Sequence, residues 1–169
     1  MKIYSGFLRT IFLGTVSSLI VGSVSLAAVP AKPLRVVKGS GSFYGGQAGP
    51  GFSLIGFKRT QIKNGERIFL SVGDMREKPM KGLPGYYHVE MRGNKIVVDF
   101  AQMPLSKVKL NEIQAAVRKS KNISAVAMAL DSADGGLNLI FTLRNPVSLN
   151  VLQVPGQKFS SQVVLQILE

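Results

Sequence analysis

The stretch Gly85–Ala101, GYYHVEMRGNKIVVDFA, decides the fold. Tyr87, Val89 and Met91 fall on one side of an extended segment, and Tyr86, His88, Glu90 and Arg92 on the other. Gly93-Asn94 supplies residues that tolerate the backbone of a tight turn. Lys95 to Ala101 alternates again, with Ile96, Val98 and Phe100 against Val97 and Asp99. Period-two alternation around a turn dipeptide predicts a β-hairpin.

Working outward, the same pattern recurs. Phe52–Ile62, the turn dipeptide Asn64-Gly65 and Arg67–Gly73 read as a preceding hairpin, with Asn-Gly predicting a type I′ turn. Asp74 to Pro84 connects it to the opening hairpin. Beyond residue 121, Ile123–Asp131, the turn Asp134-Gly135-Gly136 and Leu137–Arg144 form a third hairpin. Val147–Val154, the turn Pro155-Gly156 and Gln162–Leu168 form a fourth. Between the pairs, Leu110, Ile113, Ala116 and Val117 are spaced for one face of a short helix. Asn111 and Gln114 are its expected cap. The fold class is all-β: a sandwich of two similar four-strand halves with a short helical or irregular connector. Each half is expected to bury its apolar face against the other.

The N-terminal third differs. Lys2 and Arg9 precede an apolar run of small residues, Ile11 to Ala28, in the order of a secretory signal peptide. Residues 1–28 are therefore expected to be a signal, with cleavage favoured over retention as an anchor. The expected location is the periplasm. Residues 29–51 are basic and Gly-rich, and read as a flexible linker. Leu34–Val37 is the one short strand candidate there. Phe43 and Tyr44 read as loop aromatics. Residues 52–169 are left as the folded domain.

Composition narrows the chemistry. The chain of 169 residues has no Cys and one His, which removes most metal and disulfide chemistry. Lys and Arg number 21 against nine acids, a formal charge of +12, or +10 without Lys2 and Arg9. A basic exported chain meets anionic polymers or headgroups, although such charge also serves solubility alone. His88 with Glu90 has the spacing of a same-face acid/base pair, but such pairs are more often surface contacts. Asp131 and Asp134 flank a turn and lack the spaced oxygen ligands of a calcium loop. No Ser has a recognisable base. The expectation is a protein that is not an enzyme and needs no cofactor.

The candidate ligand-binding residues are Tyr86, Arg92, Lys95, Arg118, Lys119 and Lys121. An aromatic ring suits a sugar face, and cations suit carboxylates through charge-assisted hydrogen bonds. Each cation alone is equally expected as part of the solvated rim of a sandwich.

The strand Lys95-Ile96-Val97-Val98-Asp99-Phe100, the connector step Val117-Arg118 and the looser copy Ala125-Val126-Ala127-Met128-Ala129-Leu130 resemble the AMIN domain. That domain precedes the catalytic part of periplasmic N-acetylmuramoyl-L-alanine amidases and occurs in pilus secretins. The resemblance covers Gly51 to Glu169. It implies a non-catalytic, stand-alone envelope module whose partner is peptidoglycan or another anionic envelope polymer. Nucleic acid is not an expected partner, and membrane contact is expected only through the signal segment. The alternative is an accessory protein of a secretion or pilus machine, acting through protein contacts at a sheet edge.

Overall fold

A computed structural model describes residues 36–131 and 134–169. The expected signal peptide lies outside the described residues. Two β-sheets pack face to face as a sandwich, with 60% strand and 6% helix. In chain order the elements are β1 (Val36–Lys38), β2 (Ser40–Gly45), β3 (Ser53–Ile62), β4 (Gly65–Gly73), β5 (Tyr87–Arg92), β6 (Lys95–Phe100), β7 (Leu105–Ser106), α1 (Leu110–Val117), β8 (Ile123–Asp131), β9 (Gly136–Leu143), β10 (Ser148–Val154) and β11 (Ser161–Leu168).

The alternation read from the sequence has a direct physical outcome. Val89, Met91, Ile96, Val98, Phe100, Leu139, Phe141, Leu149, Val163 and Leu165 are buried between the sheets. Extended strands send successive side chains to opposite faces, so one apolar set per strand fills the interior. Phe57 and Phe141 stack across this core with ring centroids 6.4 Å apart.

The two halves do not form one sheet each. The first sheet has the order β1-β10-β11-β4-β3-β7, and the second β2-β5-β6-β9-β8. Each half gives one hairpin to each sheet. The central contacts join the halves: β4 pairs with β11, as Leu70 with Val163, and β6 with β9, as Val98 with Leu139. Exchanging the halves turns β10-β11-β4-β3 into β5-β6-β9-β8, so the arrangement has an internal pseudo-two-fold. Even the irregularities match. Both β3 and β8 carry a bulge one residue after a paired residue, Leu54 and Ile123.

The expected linker is also corrected. β1 pairs with β10, and β2 with β5, so Val36–Gly45 caps one edge of each sheet. Gly39, with φ +77°, turns the chain from one sheet to the other, a backbone that side chains other than Gly rarely adopt. Val37 and Phe43 are buried. Two apolar anchors suffice to order this Gly-rich arm because its backbone groups are paired on an existing ladder.

α1 forms where the spacing predicts it. Ile113 and Val117 are buried beneath it. Its first turn is tied by Glu112, whose carboxylate accepts the Lys109 N–H at 3.2 Å, so the helix starts two residues before the Asn111 cap expected from the sequence. The first hairpin turn shifts as well. Ile62 pairs with Gly65, placing the turn at Lys63-Asn64.

Candidate functional site

The outward face of the second sheet is built by register. Tyr44, His88, Asp99, Asn138 and Ala129 stand side by side across β2, β5, β6, β9 and β8. The next row along the strands is Ser42, Glu90, Val97, Ile140 and Ala127, and the next is Ser40, Arg92, Lys95, Thr142 and Ala125. Successive rows lie about 6.6 Å apart, two residues of strand rise. One surface thus carries an aromatic and amide–carboxylate row at one end, a half-buried apolar middle at Val97 and Ile140, and cations at the other end.

At the aromatic end, Tyr44 stacks on His88 with ring centroids 4.2 Å apart and planes 9° from parallel. Tyr44 is 74% and Tyr86 52% exposed. These rings, with Gly45, Tyr87, Asp99 and Ala101, line a shallow cleft of about 230 Å³. The His88 Nε2 atom is buried and has no hydrogen-bond partner. The side chains of Asp99 and Asn138, its neighbours along the row, make no hydrogen bond among the described residues. Such a row offers flat apolar faces beside one acceptor pair and one amide, the mixed lining of small-molecule sites. Tyr87 points the other way, into the core. Burial pushes its hydroxyl up to about 12, and the hydroxyl donates to Gln153 Oε1 at 3.3 Å.

The cationic end is assembled by backbone hydrogen bonds. The Leu143 N–H donates to the Asn94 carbonyl and the Arg144 N–H to the Asn122 carbonyl, both at 2.7 Å. Those bonds bring the Gly93-Asn94 turn, Arg144 and the segment after α1 to one end of the sandwich. The Glu169 N–H reaches the Asn64 carbonyl at 3.3 Å, adding the Lys63-Asn64 turn. Lys63, Arg92, Lys95, Arg118, Lys119, Lys121 and Arg144 are exposed. Arg92 is paired with Glu90 of its own strand, and that hydrogen bond raises its pKa.

A buried polar knot holds the Lys119–Lys121 segment in place. Glu66 faces the interior with Ile68 and Leu70 and is fully buried. It pairs with Arg59 and accepts the Ser120 hydroxyl. The Ser120 oxygen in turn accepts the N–H groups of Asn122 and Ile123 at 3.1 and 2.8 Å. Arg59 also donates to the Lys119 carbonyl at 3.3 Å.

Of the six residues named from the sequence, Tyr86 stands just before β5, in step with its outward-facing His88 and Arg92, and Lys95 is opposite Arg92 on β6. Tyr86 lies about 20 Å from Arg92 at an extended strand's rise. Lys119 and Lys121 are at the cationic end, and Arg118 caps α1 beside them. Sequence reading set Tyr44 aside as a loop aromatic and did not single out Asn138, Lys63 or Arg144. The signal for Tyr44 was its alternation with Phe43, buried against exposed, which the surrounding glycines masked. His88 does not pair with Glu90, which is taken by Arg92. No cluster of three or more His, Cys, Asp or Glu side chains able to hold a metal ion occurs among the described residues.

No family model matches the chain, no curated protein is significantly similar to it, and no solved structure matches its fold at a significant level.

Proposed function

We propose that the protein is a non-catalytic module of the bacterial cell envelope that binds peptidoglycan or a similar anionic glycan polymer. The reading includes export to the periplasm and the AMIN-like character of residues 52–169. One observation carries it: a single sheet face holds exposed Tyr44 and Tyr86 at one end and Arg92 and Lys95 at the other. A glycan strand with acidic peptide branches has both complements, sugar faces for the rings and carboxylates for the cations. The shallow, open form of the face suits an extended polymer better than an enclosed small ligand.

Sedimentation with purified sacculi tests this. The wild-type protein is expected to co-sediment at moderate salt, and less so as salt screens the cations. Replacing Arg92 and Lys95 together by Glu reverses two charges on the face and should weaken binding by about tenfold or more at low salt. Tyr44→Ala with Tyr86→Ala should weaken it with little change in salt dependence. A wild-type protein that stays in the supernatant sinks the reading.

The second reading, an accessory of an envelope machine acting through protein contacts, is favoured by the open edge of β8. Cross-linking in intact cells that returns no other envelope protein would count against it.

A further inference from the structure

We infer that β8 is a homodimerisation edge, through which two copies of this chain join their second sheets into one ten-stranded sheet. The inference is independent of the glycan reading.

The pseudo-two-fold exposes the asymmetry. On the first sheet, β3 is covered by β7, which runs parallel to it from Leu105 to Ser106. Its counterpart β8 is the last strand of the second sheet, with no strand on its outer side among the described residues. No backbone hydrogen bond outside the ladder with β9 reaches Ala125–Leu130 among those residues. The other edge strands are short, with three residues in β1, six in β2 and two in β7. β8 has nine residues. From Ser124 to Leu130 it holds no charge, no proline and no glycine; its bulge lies at the Ile123 end and α1 packs against the strand, and the backbone edge of Ala125–Leu130 is left open.

The chemistry of the edge selects a second copy. Antiparallel pairing about a two-fold requires a strand that complements itself, and Ala125-Val126-Ala127-Met128-Ala129 is nearly a palindrome. With the axis at Ala127, Ala125 faces Ala129 of the other copy and Val126 faces Met128. Both pairings keep the sheet's two faces in register, because opposed residues on antiparallel strands share a face. The outward side is then all alanine, flat and unobstructed. The inward side covers Met128, half-buried, and Leu130, 57% exposed. Copies with a formal net charge of +12 repel one another over most of their surfaces, and this uncharged strip lets them meet without opposing cations. The contact is isologous and closes at two.

Analytical ultracentrifugation of the protein purified after expression of the full chain tests the inference. The wild type is expected to be a monomer–dimer equilibrium. Ala127→Lys and Ala127→Glu, on an exposed side chain, should each be monomeric where the wild type is dimeric, because like charges then meet at the axis. Mixing the two variants should restore a dimer. Ala127→Cys, the sole thiol in the chain, should oxidise to a disulfide dimer, while Ser42→Cys on the opposite edge should not. A wild type that is monomeric at every concentration overturns the inference. So does a dimer that persists in both charge variants, or an Ala127→Cys protein that forms no disulfide dimer.

Discussion

Glu66 is the residue where local chemistry and large-scale placement meet. It sits on the inward face of β4, a position the alternation reserves for an apolar side chain, and it is fully buried. A buried carboxylate persists only with partners, here Arg59 and the Ser120 hydroxyl. Glu66→Ala leaves the guanidinium of Arg59 half-enclosed without its carboxylate, and should cost about 3 kcal/mol. Ser120→Ala leaves a buried carboxylate oxygen and two backbone N–H groups short of a partner, and should cost about 2 kcal/mol. Urea denaturation of the two variants measures both losses, and their double variant should show strong non-additivity, since one network is broken twice. None of this network was legible in the sequence. Arg59, Glu66 and Ser120 are separated by turns and a helix, and nothing in their local spacing announces that they meet. The Asn64-Gly65 turn failed for a related reason. Asn-Gly favours positive φ at both positions, yet only Gly65 takes it, at +137°. Gly65 is instead a strand residue, paired with Ile62 and with Leu168 of β11, where a side chain would strike the Ile167 carbonyl, and the turn falls at Lys63-Asn64.

At the scale of elements, periodicity carried further than composition. The eight strands of the four hairpins emerged from apolar spacing bounded by turn residues, and the helix from apolar spacing, because strands half-buried in a two-layer sandwich must alternate. The arm Val36–Gly45 did not, because glycine and serine dominate it and only Val37 and Phe43 mark its inward side. Its order comes from the edges it caps. Phe43 is buried, stands opposite Val89 on β5, and is the one bulky side chain with which β2 enters the core. Phe43→Ala should therefore cost about 3 kcal/mol, as a core aromatic does, where a linker residue would cost almost nothing. Thermal unfolding distinguishes the two. Amide exchange should also slow across Ser40–Gly45 in the wild type and quicken in the variant, since the strand's N–H groups are protected by the ladder with β5. The same arm delivers Tyr44 to the aromatic cleft, so a change in the arm's stability is also a change in the candidate site. That coupling is why Tyr44 reads from the sequence as a loop aromatic: its position on a sheet exists only after the arm has docked.

For the whole molecule, the interleaving of the halves has a consequence that two separately stacked halves would not have. If each half were one sheet, each could retain its own ladder when cut from the other. Instead, the middle of each sheet is a seam between halves, β4 on β11 and β6 on β9. Cutting the chain between residues 101 and 102 leaves the separate ladders β3-β4, β2-β5-β6, β8-β9 and β10-β11, each with one apolar face bare to water. A two-stranded hairpin is at best marginal in water, and no pair of hairpins within a half shares a ladder. Residues 36–101 and 102–169, expressed separately, should each lack a cooperative unfolding transition. Mixed at equal concentration, they should regain one, because the seams are ordinary antiparallel ladders that need no covalent link. Circular dichroism during thermal unfolding reads both results. A cooperative transition in either fragment alone would mean that a half is a folding unit and that the seam contributes little. The intact chain must also pair Gly65 with Leu168 before its first sheet is complete. Loop closure over that span makes the protein a slow folder, in the millisecond-to-second range of all-β sandwiches. Tyr44, Tyr86, Arg92 and Lys95 come from the first half, while Asn138 beside Asp99 and the cations Lys119, Lys121 and Arg144 come from the second. The candidate site therefore forms only when the halves have joined, and the mixed fragments should recover sacculus binding in step with the recovered transition.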